Sequence, residues 1–280
     1  MKLFFQRFFS NKGTLLGSVI FAVIIVVAIF ASLWYEESPW MMVATPLIPP
    51  FQNPEYFFGT DMLGRNIGAG LAYGARVSLM ISVASTLVAV FFGIFVGAIA
   101  GYYGGWLDDL LMRMTEFFQT IPQLAMAIVV VAIFTPSIYS IIGAIVLVSW
   151  PPVARLVRSE FMSLKQREFV HAAIGLGQKP SQIIFNQILP NALSPIIVMA
   201  SLMVASALLT EAALSFLGLG DRNLMSWGYM IGAARTMLRE APWMSVMPGL
   251  AILFCVLSIN LIGEGLNDAL NPQLRKKGAA

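Results

Sequence analysis

Between Phe117 and Ala154 the chain runs for 38 residues without a charged side chain. At about 1.5 Å of rise per residue, one helix of that length would be nearly twice as long as the roughly 30 Å hydrocarbon core of a bilayer is thick. Thr135-Pro136-Ser137 stands near its centre as a turn signal, so the run reads as two spans, at 119–134 and 138–154. Four more runs have the length of a span: Leu15–Trp34, Ser78–Ala100, Ala192–Leu217 and Pro242–Ile262. Only 11% of the 280 residues are charged, against about 25% in ordinary soluble domains. The chain is therefore all-α and polytopic, with six transmembrane helices. The first run is too long for the core of a signal peptide, and no A-x-A-like site precedes Glu36.

Orientation follows from the positive charges. With the amino end inside, the cytoplasmic segments are the start, 101–116, 155–190 and the tail. They hold 12 basic residues against 5 in the external loops, as the positive-inside rule requires. Both termini then lie in the cytoplasm. The chain divides into an amino-terminal tail, first helix and external loop (1–77), a five-helix core (78–266) and a carboxy-terminal tail (267–280). Within the second span, Gly93, Gly97 and Gly101 recur at four-residue spacing, a small face that admits a close neighbour.

Catalytic chemistry is hard to place here. The sequence has no G-x-x-x-x-G-K-[ST] phosphate loop and no H-E-x-x-H helix. His171 is the sole histidine, every aspartate lies in a loop or near a span end, and Cys255, the sole cysteine, sits in an apolar run. An intramembrane enzyme lacks its groups, no metal site or nucleic-acid patch emerges, and the methionines read as packing. An ion-coupled carrier would show an inverted repeat and buried ionisable residues. No repeat is evident, and Glu211 is the one acid within a span. That glutamate either faces a translocation path or is paired inside the bundle near the outer end of span five.

The cytoplasmic segment 155–190 carries Arg155, Arg158, Lys165, Arg167 and Lys179 against Glu160 and Glu168. Phe169, Ala172, Ala173 and Leu176 fall at helical spacing on one face. Gly177 suits a helix end and Pro180 the first turn of the next helix, which should run to Leu189 and stop at Pro190. Such a face fits either the bilayer interface or a docking protein. In the external loop, Gly59, Thr60, Asp61, Gly64 and Arg65 of GTDMLGRN read as a tight turn with Asp61 and Arg65 available to pair, a structural brace in preference to a substrate-binding element.

HAAIGLGQKPSQIIFNQILP (171–190) resembles the E-A-A-x-x-x-G loop of ABC importer membrane subunits. Ala172, Ala173, Gly177, Leu189 and Pro190 match, His171 stands where glutamate is usual, and Gln187 where an apolar residue is. GTDMLGRN is similar to the G-T-D-x-L-G-R-D signature of one permease of dipeptide, oligopeptide and nickel importers, with Asn66 for the last aspartate. GYYGGWLDDLLMR (101–113), ARLVRSE (154–160), FLGLG (216–220), SWG (226–228) and NPQLR (271–275) also look like that subunit.

The resemblance implies a type I ABC importer permease fold and a chain with no cofactor of its own. It implies a second related permease, two cytoplasmic ATPase subunits that bind ATP and magnesium, an external solute-binding protein and a bacterial inner membrane. Di- or oligopeptides are the expected cargo, with nickel or another small solute as the alternative. Phe169, His171, Ala172, Ala173, Leu176, Gly177, Leu189 and Pro190 would form the loop on which the ATPase pushes.

Overall fold

A computed structural model describes residues 8, 9 and 11–270. The first long helix, α1 (Lys12–Trp34), starts at Asn11, whose side chain accepts from the Gly13 N–H at 2.9 Å. The next, α2 (Ile67–Tyr103), has 37 residues and starts eleven positions before Ser78, where charge patterning placed the span. Arg76 explains the difference. Its Nε and Nη2 donate to the carbonyls of Ala28 and Ile29 on α1, each at 3.1 Å, so the helix carries a charge without leaving it unpartnered.

Residues 101–116, expected to be a polar connection, are helical. Here α3 (Gly105–Thr120) precedes α4 (Gln123–Ile133), and the two meet at 87°. Ile121 is extended and Pro122 follows, because the proline ring disfavours helical backbone in the residue before it. At 11 residues, α4 rises only about 16 Å and cannot cross alone. The Thr135-Pro136-Ser137 turn holds, and Ser137 caps α5 (Ile138–Lys165) in a reciprocal box with Ser140. This helix continues past Ala154, through Pro151 and Pro152, into the charged segment.

Beyond α5 come α6 (Glu168–Gly175) and α7 (Pro180–Phe216). Then follow α8 (Trp227–Ala234), a 3-10 turn at Arg235–Met237, and α9 (Trp243–Leu270). The expected stop at Pro190 does not occur. Ile183–Ile188 widens into a π-helix, and the Leu189 N–H reaches back to the Ile184 carbonyl. Pro190 thus falls in the first turn of the following α-helical stretch, where its missing N–H costs nothing. Among the described residues five helices are long and apolar enough to cross a membrane, and the bent α3–α4 pair, counted as one span, makes six. Among the described residues there is no strand, only the isolated bridges Met42–Arg65 and Thr60–Asn66. Lys2, Arg7, Arg275–Lys277 and the NPQLR motif lie outside the described residues.

The glycine stripe sets the closest crossing. A Cβ at Gly93 would lie 2.5 Å from the Val153 Cβ, and at Gly101 2.7 Å from the Phe161 Cβ. The backbones of α2 and α5 therefore touch along about two helical turns, the contact that small residues permit. A middle cluster joins α2, α4, α5 and α7 through Ile81, Val131, Ile145 and Leu214. A cytoplasmic cluster joins α5, α6 and α7 through Phe161, Val170, Ile183 and Ile196. Apolar side chains such as Phe91, Phe95, Ile133 and Leu253 remain exposed on the outside, as a lipid-facing surface requires.

Candidate functional site

The cytoplasmic arm is built on α6. Its end is a Schellman cap: Gln178 N–H donates to the Ala173 carbonyl at 3.2 Å and Gly177 N–H to that of Ile174 at 2.9 Å. Gly177 has φ +75°, and a Cβ there would meet nothing within 4 Å, so glycine serves backbone conformation and not space. Lys179 is extended and Pro180 opens the next helix, as the sequence implied. The angle of the arm is thus fixed by backbone hydrogen bonds.

One part of the expected face changes. Ala173 does not share a surface with Phe169, Ala172 and Leu176. It is 4% exposed and points with Val170 into the cluster containing Phe161, Ile183 and Ile188. The helical spacing that groups Ala173 with Phe169 and Leu176 applies equally to Val170 and Ala173, three apart, and the bundle takes that pair. The outward face carries Phe169, Ala172 and Leu176, with Leu176 81% exposed, while His171 and Ile174, also exposed, lie on a different side of α6 and line a cleft with Met162 and Lys165 of α5. Leu189 is half-buried and Pro190 exposed at the root of α7. Phe185, also exposed, extends the apolar surface; its position within the π turn gave the sequence no reason to flag it.

The arm is anchored by a pair that sequence reading missed. Arg158 on α5 donates Nε and Nη2 to the two carboxylate oxygens of Asp108 on α3, at 2.5 and 2.6 Å. Fork-to-fork geometry of this kind is the strongest form of the contact. The two residues come from GYYGGWLDDLLMR and ARLVRSE, motifs that looked independent. Lys165 Nζ donates to the Tyr102 carbonyl at 2.6 Å, tying the end of α5 to the end of α2.

Outside the membrane, the signature loop is a self-bracing turn. Gly59 and Gly64 have φ +82° and +75°. Asp61 pairs with Arg65 Nε at 2.5 Å and accepts from the Leu63 and Arg65 N–H groups at 2.9 Å. Burial opposes the charge of Arg65, yet hydrogen bonding to Tyr229 and the Asp61 carboxylate outweigh it and hold the guanidinium above its ordinary value. Thr60 Oγ1 donates to the Thr45 carbonyl at 2.7 Å and accepts from Ile48 N–H at 2.9 Å. Asn66 caps α2 by accepting from Gly68 N–H, a role asparagine and aspartate fill equally well. That accounts for the one departure in the signature.

Glu211 is fully buried. It accepts from Ser78 Oγ of α2 at 3.0 Å and Ser215 Oγ of α7 at 2.8 Å, and is also hydrogen-bonded by Ser226, the cap of α8. Ser78 Oγ in turn accepts from the Trp227 N–H at 3.3 Å. The carboxylate therefore knots two spans to an external element within this chain. FLGLG and SWG meet at this knot: Gly228 lies against Ala212 and Gly220 against Ser215.

Residues 93–276 match the family described as the binding-protein-dependent transport system inner membrane component, and residues 1–58 match the N-terminal TM domain of oligopeptide transport permease C. The dipeptide transport system permease protein DppC of Alkalihalophilus pseudofirmus is 41% identical over 277 residues, covering 97% of this chain and 89% of that protein. The oligopeptide transport system permease protein OppC of Bacillus subtilis is 37% identical over 273 residues, 96% and 88% of the two chains. Among solved structures, a chain of the MetNI methionine ABC transporter in an inward-facing conformation superposes with a TM-score of 0.60. Its identity is 16%, over 72% of this chain and 96% of that one, a likeness of fold.

Proposed function

The chain belongs to the family of binding-protein-dependent transport inner membrane components, and from that membership we propose that it is the peptide-importing permease half that receives the stroke of an ATPase through α6. As a multi-pass membrane subunit of an ABC importer it would sit in a bacterial inner membrane. Its proposed partners are a second, related permease, two ATPase subunits holding ATP and magnesium, and an external solute-binding protein. Di- or oligopeptides are the proposed cargo, in keeping with the names of the relatives.

The single observation that carries the coupling role is the two-sided character of α6. Its inner face, Val170 and Ala173, is locked into the core that α5 and α7 share, while its outer face, Phe169, Ala172 and Leu176, is apolar and uncovered. A surface helix of a soluble segment would reverse that outer face to polar. Force on the outer face would pass into two spans with little slack.

The test is Leu176→Glu in the complete importer reconstituted into proteoliposomes. An exposed side chain can change without harm to insertion, so the variant should assemble with its partner permease. It should lose ATPase-subunit binding and at least tenfold in ATP-driven peptide uptake. Survival of both ATPase binding and uptake would sink the coupling role. Uptake by this chain alone on an ion gradient would sink the importer reading itself. Ligand identification on the partner binding protein separates peptide from nickel.

A further inference from the structure

The cleft between α3 and α5 has no part in the docking face, the external brace or the Glu211 knot. It is open to the surface and offers about 1040 Å³. Arg155 is the first charge after the 38-residue apolar run, so the cleft opens where hydrocarbon gives way to the cytoplasmic headgroups. Its charges are incompletely used. Arg158 is committed to Asp108, Arg155 bonds only the neutral Gln119 at 2.6 Å, and Arg113 makes no hydrogen bond or ion pair among the described residues. Asp109 and Glu116 line the same cleft and, among the described residues, form no close ion pair, although the Asp109 charge acts on Arg158.

A second observation comes from the other flank of α3. Trp106, Leu110, Met114 and Phe117, at spacings of four, four and three, make a continuous stripe, each 48–76% exposed. Going round the helix, Asp108 and Thr115 face the protein, Asp109, Arg113 and Glu116 line the cleft, and the stripe comes next. Arg113 stands on the border. A polar cleft with unspent arginines therefore adjoins an uncovered apolar stripe at headgroup depth, on the cytoplasmic half of the α3–α4 pair, which is bent by 87°.

We propose that this cleft and stripe bind one aminophospholipid of the cytoplasmic leaflet. Its phosphodiester would rest on Arg113 and Arg155, its ammonium on Glu116 or Asp109, and its acyl chains along Trp106, Leu110 and Phe117. Basic pockets between membrane helices on the cytoplasmic side have this chemistry, and an aromatic-rich amphipathic helix lies naturally in the interface plane. A peptide zwitterion would match the four charges but leaves the stripe without an occupant. The two acids favour phosphatidylethanolamine over phosphatidylglycerol, which brings no cation to meet them.

The experiment takes the full chain from nanodiscs of equal phosphatidylethanolamine and phosphatidylglycerol and counts retained lipid by native mass spectrometry. A phosphatidylethanolamine adduct should outlast phosphatidylglycerol under increasing collisional activation. Arg113→Ala with Arg155→Ala should lower its occupancy at least tenfold, and Trp106→Ser with Leu110→Ser several-fold. Val88→Ser, on another exposed face, should leave it intact. All the altered side chains are exposed, so helicity should persist. Unchanged retention in both double variants would overturn the site, and equal retention of the two lipids would overturn the headgroup assignment. Displacement of the adduct by millimolar trialanine would overturn it in favour of a peptide vestibule.

Discussion

Replacing Gly97 by alanine tests the architecture at its tightest point. The added Cβ would lie 2.7 Å from the Val157 Cβ and closer still to the Ala154 carbonyl oxygen. Carbon atoms rest about 3.5–4.0 Å apart, so α2 and α5 would have to separate by about 1 Å. A gap of that size forfeits a quarter to a half of each dispersion contact it opens, and overpacking of this kind costs about 1–3 kcal/mol. Gly93 and Gly101 sit at the same crossing. One displacement relieves all three clashes, so Gly93→Ala with Gly97→Ala should cost clearly less than the sum of the single changes. The assay is unfolding of the purified chain in detergent, followed by tryptophan fluorescence. A Gly97→Ala variant as stable as the parent would refute close backbone contact, and strict additivity would refute a shared displacement.

Two other perturbations probe the polar contacts. Arg158→Ala strands Asp108, whose side chain is only 10% exposed while that of Arg158 is 33% exposed; the cost should be about 1–3 kcal/mol, between surface and buried pairs. A double-mutant cycle with Asp108→Asn should recover much of it, and no recovery would mean that the pair contributes little. Glu211→Ala leaves the Ser78 and Ser215 hydroxyls without their acceptor, at about 1–3 kcal/mol for each unsatisfied group. It should free α8 to protease before the spans unfold, whereas Glu211→Gln, keeping one acceptor oxygen, should hold α8 better; equal protease resistance in Glu211→Ala and the parent would contradict the knot.

What the sequence made legible was whatever depends on local pattern. Long apolar runs gave the spans, Gly59, Gly64 and Gly177 gave backbone turns, and the Gly93–Gly97–Gly101 spacing gave the α2–α5 contact. Asp61 and Arg65, four residues apart, could be paired on paper because the turn between them is short. The misses have a common origin in contacts between distant segments. Asp108 and Arg158 are 50 positions apart and Ser78 and Glu211 are 133 apart; no periodicity links them. Charge also misled where it is neutralised by backbone, since Arg76 looked like the end of a loop and is a ligand to α1 carbonyls. At Pro190 the rule that proline stops a helix was sound, but a π turn upstream moved the proline to a place where the rule does not apply.

The same long-range contacts determine how a push on α6 would be shared. Val170 and Ala173 pack in one cluster with residues of both α5 and α7, and a π turn with one extra residue per loop joins the first turn of α7 to the rest of that helix. On the α5 side the path is stiff: α5 is held to α3 by the Arg158 fork, to α2 by glycine contacts, and through Lys165 to the Tyr102 carbonyl. On the α7 side the Gln187–Gln178 bond at 3.3 Å stays within the arm. Beyond it the described contacts with other helices are packing, including Leu202 against Gly263 of α9, until Glu211, far along the helix, where the knot ties it to α2 and α8. Displacement should therefore rotate α7 about its outer end more than it moves α5, and the π turn is the place where bending would concentrate. Spin labels at exposed Phe185 and Leu202 on α7 should change their distances to Phe91 on α2 between nucleotide states of the assembled importer, while Met162 on α5 keeps its distance to Phe91. Equal movement of Met162 and Phe185 would mean that the α3 and α2 restraints do not hold α5 in place, and that the arm drives both spans as one body.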